Sequence, residues 1–381
     1  MLSILYEGWL MVPHSYAIVA TFQLQRLLQR SDLRIYYRPL PLYQTHWKTL
    51  QKEPMEGVIW YTGTEPIDVV YRIAFPYHIH KPDTNVPVVV FGTSETTVLT
   101  DAYFIGGLAL AQQGQREGWL HFITPSTWSQ QGFIKAGLTA WVLPHGVETT
   151  LYKPIDSLSQ RDMYRKKWMH LSDPDAFVFF TMGSCCGNKN MDLLLQAFTN
   201  IHHEIPHAYL LIKGIDSLYA SATLLDRTLW HMVLHHRLNL AYFQKYVQPY
   251  VLITCDTLEE QELAELFQAS DCYVAPYSQE GFVIPVLNAS ACGLPSIVSQ
   301  GGPTDDFTTQ DTAFYINTTC HTDAPTTSMT LHPSLVSLQE LMLHVARHPT
   351  KLSKETVDQV HHDYSWNAIT SQLVTHLASF F

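Results

Sequence analysis

Between residues 276 and 305, PYSQEGFVIPVLNASACGLPSIVSQGGPTD, a carboxylate at Glu280, a helix start near Val283 and a glycine loop at Gly301-Gly302-Pro303 follow one another. Upstream, TMGSCCGNKNMDLLLQAF ends an apolar run at Gly183 and sets Lys189 just ahead of an apolar helix. A cationic side chain, helix N-termini and amides at glycine turns are the groups that hold a phosphate. Gly281 lets the backbone approach a ligand, and Pro285 suits a first helical turn. Each feature also has a plain structural reading: a capping loop with a solvated lysine, a surface glutamate, a tight turn.

Such groups work together only if strands deliver them to one edge. Short apolar runs separated by helical segments predict βαβ units and a mostly parallel sheet. In the first half the candidate strands are 2–6, 33–37, 57–61, 67–73, 87–91, 119–123 and 140–143, with a crossover helix over 15–30 starting at a Ser15 cap. The stretch 153–160, KPIDSLSQ, loses the apolar pattern and reads as a linker. A second series follows: strand 177–182, helix 190–202, strand 208–213, helix 220–238, strand 250–253, helix 258–269, strand 271–275, helix 283–292 and strand 296–299. Segment 364–380 is amphipathic and lies beyond the second sheet. Two Rossmann-like halves are the economical fold, and ligands of such sheets sit at the carboxyl ends of the strands.

A chain of 381 residues is long for one core, and nearly half of it is apolar. A net charge of -11 argues against nucleic acid as a partner. No run approaches the ~20 apolar residues of a membrane span, and Glu7 follows Met1 too soon for a signal peptide, so the chain is expected to be cytoplasmic. The six cysteines, 185, 186, 255, 272, 292 and 320, lack metal spacing and read as free thiols. His78-x-His80 and the pair His231 and His235 each offer two ligands without a third, so no metal site is expected. There is no Gly-x-Ser-x-Gly elbow, no Walker lysine loop and no His-Glu-x-x-His.

EGFVIPVLNASACGLPSIVS, with Gly183 and Lys189 ahead of it and Gly301-Gly302-Pro303 behind it, resembles the donor site of family 4 glycosyltransferases, the glycosyl transferases group 1 type. Pro144-His145-Gly146-Val147 is similar to the family's interdomain junction, and DYSWNAITSQLV resembles its C-terminal helix. Two positions depart from the pattern. Ser184 stands where the family has arginine, and Asn288 where it has a second glutamate. Serine supplies no bidentate cation, and an amide accepts only through its carbonyl oxygen.

The resemblance implies an α/β GT-B fold, with two Rossmann-like domains whose parallel sheets face across a central cleft and a C-terminal helix packing back on the first. The domains are expected at 1–155 (acceptor side), 156–362 (nucleotide-sugar donor side) and 363–381 (returning helix). It implies a retaining, metal-independent hexosyltransferase using a nucleotide-diphosphate sugar, UDP- or GDP-linked, and a glycan, lipid or other hydroxyl acceptor. No cofactor is implied, and peripheral membrane contact is left open by relatives that use lipid-linked acceptors. By the same resemblance Glu280 positions the sugar, and Gly183, Ser184, Lys189, Gly281, Phe282, Val283, Ile284, Gly301 and Gly302 surround sugar and diphosphate. Asn288 would meet the ribose. The first half is less faithful to the family; there Gly8, His14, Ser15, Thr93, Ser94, Glu95, His145 and Gly146 are expected to line the acceptor side. Loss of the two motif residues keeps a second reading in play, a non-catalytic sugar- or nucleotide-binding protein.

Overall fold

The computed structural model describes residues 1–47, 55–83 and 85–380. The chain forms two compact units, one of Met1–Glu148 with Asp323–Met329 and Asp363–Phe381, the other of Thr149–Thr322 with Thr330–His362.

In the first unit the strands are β1 (Leu2–Gly8), β2 (Leu33–Pro39), β3 (Ile59–Trp60), β4 (Val69–Ile73), β5 (Tyr77–His78), β6 (Val88–Phe91), β7 (Phe104–Ile105), β8 (Leu120–Thr124) and β9 (Trp141–Val142). The helices are α1 (Ser15–Leu28), α2 (Leu108–Arg116) and α3 (Thr127–Lys135). Seven strands pair in the order β3-β2-β1-β4-β6-β8-β9, every pairing parallel, and β5 pairs with β7 apart from them. The central strands are buried along their length, which is why they read as continuous apolar runs. Helix α1 ends two residues short of the predicted end, and its cap is His14, whose Nδ1 accepts from the Tyr16 amide at 3.2 Å; Ser15 is the first helical residue and exposed. The helices α2 and α3 each bury a glycine against a neighbour. Gly114 faces the Trp119 indole and Gly132 faces Ser94, so a Cβ at either position would meet those atoms at 2.6 and 2.3 Å.

The second unit opens with α4 (Leu158–Met169), which is capped by Ser157 and begins in the last residues of the stretch 153–160 read as a linker. Its polar sequence hides a helix anchored by Arg165, which donates to the carbonyls of Ala269 and Ala176 and pairs with Asp271 at 2.5 Å. There follow β10 (Phe177–Met182), α5 (Met191–Ile201), β11 (Ala208–Lys213), α6 (Asp216–Tyr219), α7 (Ser221–Leu234), α8 (Leu240–Tyr246) and β12 (Val251–Thr254). Then come α9 (Glu260–Ala269), β13 (Cys272–Ala275), α10 (Ile284–Ala291), β14 (Ser296–Ser299) and β15 (Ala313–Ile316). β16 (Thr318–Asp323) and β17 (Ser328–Pro333) make a two-stranded sheet, followed by α11 (Leu335–Arg347), α12 (Lys354–Tyr364) and α13 (Trp366–Ala378). The main sheet runs β12-β11-β10-β13-β14-β15, again parallel at each pairing. Phe179, Leu210, Ile212 and Val274 from this sheet pack with Leu194, Phe198, Leu338 and Met342 of α5 and α11. Truncating one of the phenylalanines to alanine would cost about 3–5 kcal/mol.

Helix α13 belongs to the first unit, where Trp366 stacks on Phe22 of α1 at 5.6 Å. In each main sheet the chain steps outward one way from the first strand and then the other, so the order reverses at β1/β4 and at β10/β13. That reversal is where doubly wound sheets hold ligands, at the carboxyl ends of the strands.

Candidate functional site

The two strands flanking the second unit's reversal point, β10 and β13, release the two loops that sequence reading singled out. After β10 the chain runs through Gly183 and a left-handed Cys185 to Asn188, Lys189 and Asn190; after β13 it runs through Pro276 to Val283. Side chains of the first loop stitch it to carbonyls of the second. Asn188 Nδ2 donates to Gln279 O at 3.0 Å and Asn190 Nδ2 to Pro276 O at 2.7 Å, while the Ser278 amide donates to Asn188 O at 2.8 Å. Within this frame Lys189 Nζ donates to Glu280 Oε1, an ion pair with both side chains largely withdrawn from solvent. Gly183 lies beneath that lysine: a Cβ there would sit 3.1 Å from Lys189 Cε.

The second loop ends in strain. Val283 occupies the left-handed region with φ 73°, an outlier for a β-branched residue, immediately before α10. Phe282 is pinned by stacking on Phe307 at 4.4 Å, and Pro285 lies in the first turn of α10. Asn288, one turn along α10 from Ile284, is buried, and its side-chain amide makes no hydrogen bond to a described residue.

The glycine loop after β14 joins the same framework through Tyr277, whose hydroxyl donates to Ser299 O at 3.2 Å and meets Thr304 Oγ1 at 2.7 Å. Gly302 must be glycine, since a Cβ would come within 2.6 Å of that hydroxyl. Gly301 is left-handed, at φ 84°, and its amide is already engaged by Asp305 Oδ2 at 2.9 Å. Burial raises the Asp305 carboxyl above its ordinary range, against the lowering effect of that amide.

Ser184 contributes its carbonyl, which accepts from Ser221 Oγ at 3.0 Å. Cys185 is buried, and its thiol is pushed up to about 12 by that burial. Among residues that the sequence did not single out, Asn188, Asn190 and Tyr277 hold the loops, and Lys213 stands at the end of β11 beside Gly183. The only prior signal was the Asn-Lys-Asn run around Lys189, whose partners lie far along the chain.

In the first unit the expected acceptor-side residues divide by environment. Gly8 is buried at the end of β1 with no room for a side chain, as a Cβ would fall 2.7 Å from Ile73 O. Beside it Glu7 pairs with the buried Arg72 at 2.5 Å and with Arg38. Burial holds His14 down at about 4 and His145 at about 3, so both rings are neutral at physiological pH. Thr93 exchanges backbone hydrogen bonds with the Tyr77 hydroxyl. Ser94 is fully buried with its hydroxyl on Val98 O, whereas Glu95 is exposed. Gly146 is occupied by the Trp366 indole, 2.6 Å from where a Cβ would lie. Thus Ser94 and Gly146 are closely packed, while Glu95 and Ser15 face solvent. The His231 and His235 rings lie 4.2 Å apart at a tilt of 49°, and no cluster of three metal-ligating side chains occurs among the described residues. No described helix is long and apolar enough to cross a membrane.

Comparison with known proteins places a family match on the segment that carries these loops. Residues 176–324 match the family described as Glycosyl transferases group 1. D-inositol 3-phosphate glycosyltransferase 2 of Catenulispora acidiphila is 26% identical over 158 residues, 41% of this chain, and the match spans only 34% of that relative's length. Among solved structures, HepE of Anabaena with UDP and glucose superposes at a TM-score of 0.67 and 12% identity, each chain covered fully. Sucrose-phosphate synthase of Thermosynechococcus elongatus gives 0.71 at 15% identity, covering 100% of this chain and 99% of that one. A glycosyltransferase of Rickettsia africae gives 0.70 at 11% identity, covering 99% and 98%. The chain therefore has the GT-B fold, and the segment carrying both reversal-point loops is similar to glycosyl transferases group 1.

Proposed function

We propose that this chain is a retaining glycosyltransferase that moves a hexose-type sugar from a nucleotide-diphosphate donor, UDP- or GDP-linked, to a hydroxyl of a glycan, lipid or other acceptor, without a bound metal. The observation that carries this reading is the Lys189–Glu280 pair between the loops after β10 and β13. When the bond from the anomeric carbon to the diphosphate breaks, negative charge gathers on the leaving group, and Lys189 stabilises it with the amides that follow Gly183, whose own N–H is taken by Lys213 O, and with those at 281–284. Glu280 accepts from hydroxyls of the sugar, and Asn288, buried with an uncommitted amide, accepts from the ribose. UDP bound to HepE, and the glycosyltransferase name of the Catenulispora relative, support this reading.

The test is release of nucleoside diphosphate from UDP- and GDP-hexoses, with the product's anomeric configuration read by proton NMR. Release with retention supports the reading. Binding of nucleotide without turnover of any donor or acceptor favours the second one, a non-catalytic binding protein, for which Ser184 is the specific observation.

A further inference from the structure

Lys213 closes β11 in register with Met182, and its carbonyl accepts from the Gly183 amide at 3.0 Å, so it stands beside the loop that carries Lys189. Its side chain is 4% exposed. The ammonium donates to Gly214 O and, at 2.7 Å, to Asp256 O, which uses two of its three hydrogens. No described carboxylate forms an ion pair with it. Burial pushes its proton affinity down, only partly offset by the charges around it. Asp256 and Asp216 favour the charged form without pairing with it directly, and a buried ammonium held mainly by carbonyls gains from an anion that takes its remaining hydrogen.

The surrounding corner is tied to the position where the guanidinium is missing. Ser221 Oγ donates to Ser184 O and accepts from the Ile215 amide at 2.9 Å, joining the loop after β10 to the loop after β11. Gly214 has no side chain between them, and a Cβ there would meet Ser221 Cβ at 2.6 Å and Cys255 Sγ at 2.7 Å. Only glycine fits in this corner beside Ser221 and Cys255.

We propose that Lys213 is a second phosphate-binding cation of the site, giving its third hydrogen to the diphosphate of the nucleotide donor in place of the arginine that Ser184 replaces. The inference rests on the donor reading above and extends it to a residue outside the family pattern. A purely structural lysine would instead serve only to hold the carbonyls of Gly214 and Asp256.

The experiment is calorimetric titration of the full chain with UDP, GDP and ADP, then with the nucleoside of whichever binds best. In K213M, which fills the space without charge, and in K213Q, which keeps a donor for the carbonyls, diphosphate affinity is expected to fall about tenfold or more. Nucleoside affinity should change less than about threefold, and K213R should recover part of the loss. Melting curves establish that each variant is folded, and K213Q carries the test if K213M is not. Unchanged diphosphate binding in a folded variant, or equal losses for diphosphate and nucleoside, overturns the role of Lys213 alone. Failure of the wild-type chain to bind any of the three diphosphates overturns the donor reading and this inference with it.

Discussion

Lys189 and Glu280 lie 91 positions apart in sequence and are paired across the two loops at the reversal point of the second sheet. Each therefore occupies the other until a ligand intervenes. On the proposed donor reading, an incoming diphosphate would compete with Glu280 for the ammonium, and a sugar hydroxyl would compete with Lys189 for the carboxylate. E280Q should keep nucleotide-diphosphate affinity within about threefold or tighten it, while sugar transfer falls at least ~100-fold; titration and turnover measured on one preparation check both halves. K189M should weaken the diphosphate about tenfold or more and leave a withdrawn carboxylate unpaired, costing about 1–3 kcal/mol in urea unfolding.

The glycines at 183 and 302 make opposite predictions. A methyl at Gly183 presses on the flexible end of Lys189, so G183A should move the ammonium, weaken diphosphate binding severalfold and leave the urea midpoint nearly unchanged. A methyl at Gly302 meets the Tyr277 hydroxyl and Leu331 Cδ1, at 2.6 and 2.8 Å, both held in a packed interior. G302A should cost about 1–3 kcal/mol. Comparing binding and unfolding for the two variants separates function from packing.

Asn190 combines a left-handed backbone, φ 49°, with the bond from Nδ2 to Pro276 O. Glycine keeps the backbone and loses the bond, whereas alanine loses both. N190G is expected to lose about 0.5–1.5 kcal/mol and N190A about 1–2 kcal/mol more, read as shifts in the denaturation midpoint.

Acid should act on the first unit through His14 and His145. Their ordinary value is 6.5, and burial lowers it to about 4 and about 3 in the folded chain. Well above pH 6.5 both rings are neutral folded or unfolded, and they contribute little pH dependence. Below it the unfolded chain takes up protons that the folded chain refuses, so stability falls with pH until the folded values are reached. Each ring contributes a slope approaching about 1.4 kcal/mol per pH unit. Urea titrations at pH 7.5, 6.5 and 5.5 should show the decline, and H145N should make it shallower.

The parallel sheets were readable because fully buried strands such as FVFFTM and AYLLIK are unbroken apolar runs, and their flanking glycines mark where the loops leave. Helices α2 and α3 were not, because the space that Gly114 and Gly132 leave is used by Trp119 and Ser94, contacts that no local pattern encodes. Helix α4 was hidden by LSQRDMYRKKWM, where an arginine rather than an apolar stripe supplies the anchor. At the candidate site the chemical types of Glu280 and Lys189 were legible, but their pairing depends on β10 and β13 being neighbours. The environment of Lys213 depends likewise on the register of β11 against β10 and β12. Ser15 looked like a helix cap by type, yet the ring nitrogen of the residue before it reaches the amide first.

The asparagines that fasten the loop after β10 address main-chain oxygens of Pro276 and Gln279, not their side chains. Main-chain oxygens are the same whatever residue bears them. Substitution at 279 can therefore retune what the loop offers a ligand while its anchorage persists, leaving room for related chains to drift toward new ligands without rebuilding the scaffold beneath.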